Sequence, residues 1–178
     1  HNFVSSGGGI LLIGEYGGYA NNDTYLNQIA QMFGVKFNRD MIVDTQARLN
    51  GTEMDPKKAL VCPIVDGIAK HEVMEGIEKL RLELSCSLTA GGHAVPLAWT
   101  GATAFADRDF NYTPDEGEQK GNIIFLAAVS YGAGRVIFMG DSSLISNENM
   151  LDPNHAKLGL NMVKWLGRGG PVSYTHLR

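Results

Sequence analysis

Two short segments and one histidine hold the residue types that could do chemistry. Gly14-Glu15-Tyr16-Gly17-Gly18 follows the apolar run Ile10-Leu11-Leu12-Ile13, Gly140-Asp141-Ser142-Ser143 follows Val136-Ile137-Phe138-Met139, and His155 comes soon after. A carboxylate, a hydroxyl and an imidazole are the parts of a hydrolytic set, in which the imidazole takes the hydroxyl proton as the oxygen attacks. Ser142 or Ser143 as nucleophile, His155 as base and Glu15 or Asp141 as acid would make such a set. The same segments also suit binding. Turns at the carboxyl ends of strands are where open α/β sheets hold ligands, so Glu15, Tyr16, Gly17, Asp141 and Ser142 would line a site for a small polar ligand. Plainer roles compete with both. A turn aspartate followed by serines binds backbone amides, and Tyr16 can pack on the helix after it.

Other chemistry is poorly served. His71 and His93 have no histidine or carboxylate at ligand spacing, and Cys62 and Cys86 form no Cys-x-x-Cys pair, so no metal is expected. Both cysteines sit in apolar stretches, as small buried hydrophobes do. The acidic residues from Asp107 to Glu118 lack the spacing of a calcium loop and read as a solvated loop. Gly7-Gly8-Gly9 precedes a strand, whereas a phosphate-cradling loop follows one. No cofactor is expected. With 178 residues, 44% hydrophobic and 19% charged, the chain is one soluble globular domain. Its net charge of −4 and scattered Lys and Arg argue against nucleic acid, and no apolar run reaches the ~20 residues of a membrane helix. Oligomeric state and compartment are open; the Asn-x-Thr sequons at Asn22, Asn50 and Asn111 are too short a pattern to decide the latter.

The elements that would position these residues follow from periodicity. Ile10–Ile13 is a continuous apolar run bounded by glycines, a strand buried on both faces. Asn21, Asn22 and Asp23 offer caps for a helix in which Leu26, Ile29, Ala30 and Phe33 recur until Gly34 stops it. Asn50-Gly51 and Asp55-Pro56 mark a loop, and Leu80, Leu82 and Leu84 alternate with charged residues like a strand with one wet face. Residues 123–129 and 135–139 are strands joined by Tyr131-Gly132-Ala133-Gly134, hairpin chemistry. A last helix over 154–166, capped by Asp152 or Asn154, turns Leu158, Met162, Val163, Trp165 and Leu166 toward the sheet before Gly167. These elements predict an α/β layered sheet, mostly parallel, with an antiparallel hairpin added. Residues 168–178 read as a non-native tail, and the first residues as an entry into a domain begun upstream.

Strand, Gly14-Glu15-Tyr16-Gly17-Gly18 turn and helix resemble the nucleophile elbow of class I glutamine amidotransferases, with Tyr16 where the nucleophilic cysteine belongs and no histidine directly after Met139. Further motifs resemble non-amidotransferase branches of that superfamily: ThuA-like domains, the amidotransferase-like domain of intraflagellar transport proteins, and bacterial domains of unknown function attached to carbohydrate-active enzymes. They are Phe3-Val4 before Gly7-Gly8-Gly9, Phe33-Gly34-Val35, His71-Glu72-Val73-Met74-Glu75-Gly76, Gly132-x-Gly134-Arg135-Val136, Gly140-Asp141-Ser142-Ser143 with Asn147, and Asn161-Met162-Val163-Lys164-Trp165-Leu166. The resemblance covers residues 1–167 and implies a flavodoxin-like fold whose first βαβ portion precedes His1. It also implies a catalytically silent domain that binds a small polar ligand, carbohydrate included, or a protein partner. The alternatives are the serine hydrolase above and a structural or oligomerisation domain of a larger carbohydrate-active protein, which an exposed apolar patch away from the strand ends would mark.

Overall fold

The computed structural model describes residues 1–48 and 59–168. The turn signals at Asn50-Gly51 and Asp55-Pro56 and nearly all of the expected tail lie outside the described residues. The protein is a mixed α/β molecule. In chain order its elements are α1 (Asn2–Ser5), β1 (Gly9–Ile13), α2 (Asn22–Ala30), β2 (Val35–Phe37), β3 (Met41–Asp44), β4 (Ile64–Val65), β5 (Gly67–Ile68), β6 (Leu80–Arg81), β7 (Leu88–Ala90), β8 (Val95–Trp99), β9 (Ala104–Asp107), β10 (Ile124–Tyr131), β11 (Gly134–Met139) and α3 (Pro153–Leu166).

The main sheet runs β1-β11-β10-β8-β5, with β2–β7, β3–β9 and β4–β6 as separate two-stranded ribbons. The expectation of a mostly parallel sheet is corrected: among the described strands only β1 and β11 run parallel, and β10–β11, β8–β10 and β5–β8 are antiparallel. For β10 and β11 the reason is connection length. Parallel neighbours need a long crossover, whereas β10 turns into β11 through Gly132-Ala133, with Tyr131 opposite Gly134. Gly132 takes φ +58 there, and a Cβ on Gly134 would meet Val4 O at 2.0 Å, so α1 closes over this turn.

Each face of the sheet is covered. On one lies the larger core, with Leu97, Phe125, Ile137 and Met139 against Leu158, Met162 and Trp165 of α3. On the other, Val129, Val136 and Phe138 pack against Val4, Ala30, Phe33, Phe37 and Leu88. A third cluster, Met41, Val43, Val61, Cys62 and Phe105, fills the space beside the β3–β9 ribbon. Asn27 of α2 ties helix to ribbon by donating to Phe37 O (2.9 Å) and accepting from Phe37 N (2.8 Å).

Helix phases differ from the sequence pattern at a few positions. Ile29 and Val163, expected to face inward, are exposed, while Ala30, Leu158, Met162 and Trp165 are buried as their spacing predicts. Asp152, not Asn154, caps α3 by accepting from Asn154 N. Asn21 stands at the α2 N-cap in the left-handed region, without a side-chain capping bond. The strand expected through Leu84 stops after Arg81, and Leu84 itself takes φ +57.

Candidate functional site

Parallel pairing of β1 with β11 sets Ile13 beside Met139, and Gly14 N donates to Met139 O at 2.7 Å. The two segments singled out by sequence therefore leave the sheet side by side. A third segment crosses next to them, because Cys86 N donates to Gly140 O (2.9 Å). The glycines exist for this close packing. A Cβ on Gly14 would lie 2.4 Å from Phe37 Cδ1 and 3.2 Å from Cys86 Sγ, and one on Gly140 would lie 2.2 Å from Cys86 O.

Asp141 is fully buried beneath this junction. One carboxylate oxygen accepts from Glu83 N (2.7 Å) and the other from Ser143 N (2.8 Å). Burial raises its pKa to about 7; these hydrogen bonds pull it down, and the nearby Glu15 carboxylate pushes it up. Ser143 turns its hydroxyl toward that carboxyl without closing a hydrogen bond of regular geometry, and Ser142 is exposed. Three other buried aspartates do similar work. Asp40 accepts from Ser87 N (2.8 Å) and Ser87 Oγ (2.6 Å), Asp44 from Gln46 N and Ala47 N, and Asp107 from Phe110 N and Tyr112 N.

His155 is buried, and both of its ring nitrogens are occupied by backbone. Nε2 accepts from Arg81 N at 3.1 Å, which leaves Nδ1–H to donate to Leu144 O at 2.9 Å. No lone pair remains to take a serine proton, and among the described residues neither Ser142 nor Ser143 is hydrogen-bonded to it. The structure does not assemble the hydrolytic set. Asp152 does not orient this imidazole either; it caps the helix.

Tyr16 is half-buried, packed with Leu84 and Tyr112 against the third core cluster and stacked on Tyr19 with ring centroids 6.4 Å apart. Gly17, at φ +60, donates its N–H to Asp40 O (2.8 Å) and holds the turn in place. Glu15, Tyr16 and Gly17 thus sit half-exposed beside exposed Ser142, with Asp141 buried under them. Cys86 packs against Gly14 of this turn. It is buried, and burial together with the Asp40, Glu15 and Asp141 carboxylates raises its pKa well above the usual thiol range, which disfavours the thiolate.

Two concavities lie elsewhere. A cavity of about 360 Å³ is lined by Ile64, Lys79, Arg81, Glu148, Asn149 and His155. The Arg81 guanidinium donates to Asn149 Oδ1, and Asn149 Nδ2 donates to Ser143 O (2.8 Å). A more open hollow beside β5 is lined by Ile68, His71, Met74 and Ile77; His71 caps the turn over 72–74 by accepting from Val73 N. Neither is lined by Glu15, Tyr16, Gly17, Asp141 or Ser142. Sequence pattern missed Lys79, Arg81 and Asn149 because the alternation at 79–84 signals a wet strand face, and nothing in it signals what lies opposite. Asp107, Asp109 and Glu118 bring carboxylate oxygens within 4.8 Å of one another. Those of Asp107 and Glu118 already accept backbone N–H groups of their own loop, which accounts for the cluster without a metal.

The fold is shared with solved structures of low sequence identity. The chain is similar to the mmIFT52 N-terminal domain at a TM-score of 0.67 and 20% identity, over 93% of this chain and 67% of that one. It is also similar to two cytoplasmic proteins of Salmonella typhimurium, STM1381 (strain LT2) and STM3548, each at a TM-score of 0.56 and 18% identity. The matches cover 93% and 94% of this chain, which spans 58% of each of theirs. A search of curated protein sequences returns no match. These findings correct the assignment to the glutamine amidotransferase-like and ThuA-like superfamily, and the carbohydrate association that came with it falls too. Of the glycines that carried the resemblance, Gly14 is accounted for by the packing of Phe37 and Cys86, and Gly18 by its φ of +64 and the close approach of Asp23 and Arg39. The family model that matches, over residues 1–163, is that of a domain of unknown function, and the chain belongs to that family, DUF4350.

Proposed function

We propose that this is a non-catalytic binding domain that meets a protein partner through the rim formed by Glu15, Tyr16, Gly17 and Ser142, with Asp141 and His155 as internal braces. The observation that carries this is the use made of the chemical groups. Both nitrogens of His155 and both oxygens of Asp141 are engaged by backbone, so what faces outward is the Tyr16 ring, the Ser142 hydroxyl and the Glu15 carboxylate, a surface suited to contact and without an imidazole base for the serine.

A fluorophosphonate probe tests the catalytic side: neither Ser142 nor Ser143 is expected to label, and stoichiometric labelling of either would sink the proposal. Tyr16→Ala tests the rim. A half-buried contact tyrosine should cost less than about 2 kcal/mol in urea unfolding, against roughly 3–5 kcal/mol for a fully packed core aromatic.

The small-ligand alternative is favoured by a different observation, the cavity with Lys79 and Arg81 at its wall. Its volume lies within the usual range for ligand sites, and Lys79 and Arg81 share its wall with Glu148 and Asp152, a balanced lining that suits a small polar ligand. Inorganic phosphate serves as the probe: a rise in melting temperature that Lys79→Ala abolishes would support it, and no shift would remove it.

A further inference from the structure

The charged side chains around the cavity beside α3 are sorted by wall. Lys79 and Arg81 come from the chain entering β6, two residues apart and so on the same side of it, while Leu80 between them is buried in the core. Glu148 and Asp152 belong to the other wall, at either end of the helical turn Asn149–Leu151 that leads into α3. Hydrogen bonds tie the two walls together. Arg81 N donates to His155 Nε2, the Arg81 guanidinium to Asn149 Oδ1, and Glu78 N to Asn154 Oδ1 at 3.0 Å. Yet the charges do not pair across the gap. Among the described residues the ion pairs are Arg39 with Asp23 and Arg168 with Glu72, and none joins Lys79 or Arg81 to Glu148 or Asp152.

The uncharged polar groups of the lining are already used. Asn149 accepts from Arg81 and donates to Ser143 O, and both ring nitrogens of His155 are bonded to backbone. The charged groups are not used up. Asp152 caps α3 through Oδ1 alone, and a guanidinium with five N–H donors keeps several beyond the one given to Asn149. What meets a ligand is therefore charge of both signs, over the apolar side chains of Ile64 and Leu80. An anion alone would lodge on Lys79 and Arg81 but face two uncompensated carboxylates, and a cation alone would meet the reverse. A molecule carrying both signs satisfies both walls at once.

We propose, resting on the small-ligand reading of this cavity, that it binds a small zwitterion, with the anionic end on Lys79 and Arg81 and the ammonium on Glu148 and Asp152. A volume of about 360 Å³ stands at the small end of ligand sites, in keeping with a molecule of amino-acid size. The hydrogen bonds between the walls hold the two charged pairs at a fixed separation before the ligand arrives, so little ordering is left to oppose binding.

Isothermal titration calorimetry of the 178-residue chain separates the contributions of the two walls. O-phosphoethanolamine carries both charges, inorganic phosphate only the anionic one and ethanolamine only the cationic one. The first should bind at least about tenfold more tightly than either of the others. Lys79→Ala and Glu148→Ala, both at exposed sites, should each weaken it at least about tenfold, and Glu148→Ala should leave phosphate binding undiminished. Phosphate binding as tight as that of O-phosphoethanolamine would overturn the proposal and leave the small-ligand reading standing; no binding by any of the probes would remove both. An O-phosphoethanolamine affinity unchanged in both variants would also overturn it, because the molecule would then sit elsewhere.

Discussion

Four buried aspartates, Asp40, Asp44, Asp107 and Asp141, set the residue-scale character of the molecule. Each substitutes for secondary structure by accepting backbone N–H groups where the chain leaves its strands. Asp141 gives this a pH signature. Its carboxyl titrates at about 7 in the folded protein and near its ordinary 3.8 when unfolded, so the native state binds more protons between these values. Stability is then greatest at the acid end of that window and falls as pH rises through it, by roughly 4 kcal/mol from this group alone. Asp40 and Asp107 are raised in the same direction by burial; His71, lowered by burial, opposes them below its ordinary pKa of 6.5. The contribution of Asp141 is therefore read by difference. Urea unfolding at pH 5 and pH 8 should show a clearly smaller loss in Asp141→Asn than in the wild type. An equal loss in both would mean that Asp141 stays ionised. Asp152, whose pKa is lowered because its hydrogen bonds to Asn154 outweigh its burial, adds stability that disappears only below that window. His155→Ala isolates a neutral brace. It leaves the buried partners Arg81 N and Leu144 O unsatisfied and should cost about 2–4 kcal/mol in the same assay.

At the scale of elements, close approach decides which glycines matter. Gly14→Ala drives a methyl into the Phe37 ring and should cost about 1–3 kcal/mol. At Gly101 a Cβ meets nothing within 4 Å and the backbone is not in the left-handed region, so Gly101→Ala should be neutral or stabilising by up to about 1 kcal/mol. Thermal unfolding of the pair checks both. Sequence revealed elements wherever local signals were strong: the Gly132 turn fixed the β10–β11 hairpin, and Leu158, Met162 and Trp165 fixed the buried face of α3. It misplaced Ile29 and Val163 because apolar spacing marks an amphipathic face without saying how far that face is covered. The strand through Leu84 failed for another reason. The chain needs a left-handed turn there, so that Leu84 O can accept from Tyr16 N, a contact between segments far apart in sequence.

On the scale of the whole molecule, sequence put Glu15, Tyr16, Asp141 and Ser142 at the carboxyl ends of strands, and the structure adds that the two strands are paired neighbours. What those groups are occupied with was not legible, since the partners of His155 and Asp141 are backbone atoms at Arg81, Glu83 and Leu144, which carry no residue-type signal. The mostly parallel sheet failed because strand direction depends on which strands meet, and β8 and β5 reach the sheet without a helical crossover. The β1–β11 pairing joins residues from opposite ends of the family match, whereas β10 and β11 are joined by two residues. Closing the long loop costs entropy that the hairpin never faces, so the hairpin should form early and β1 should dock last. Leu12→Ala should then act mainly by speeding unfolding, while Ala128→Gly, inside the hairpin, should slow refolding. Stopped-flow kinetics of the two variants would show the split, and would make the only parallel strand pair among the described residues the kinetic clasp of the domain.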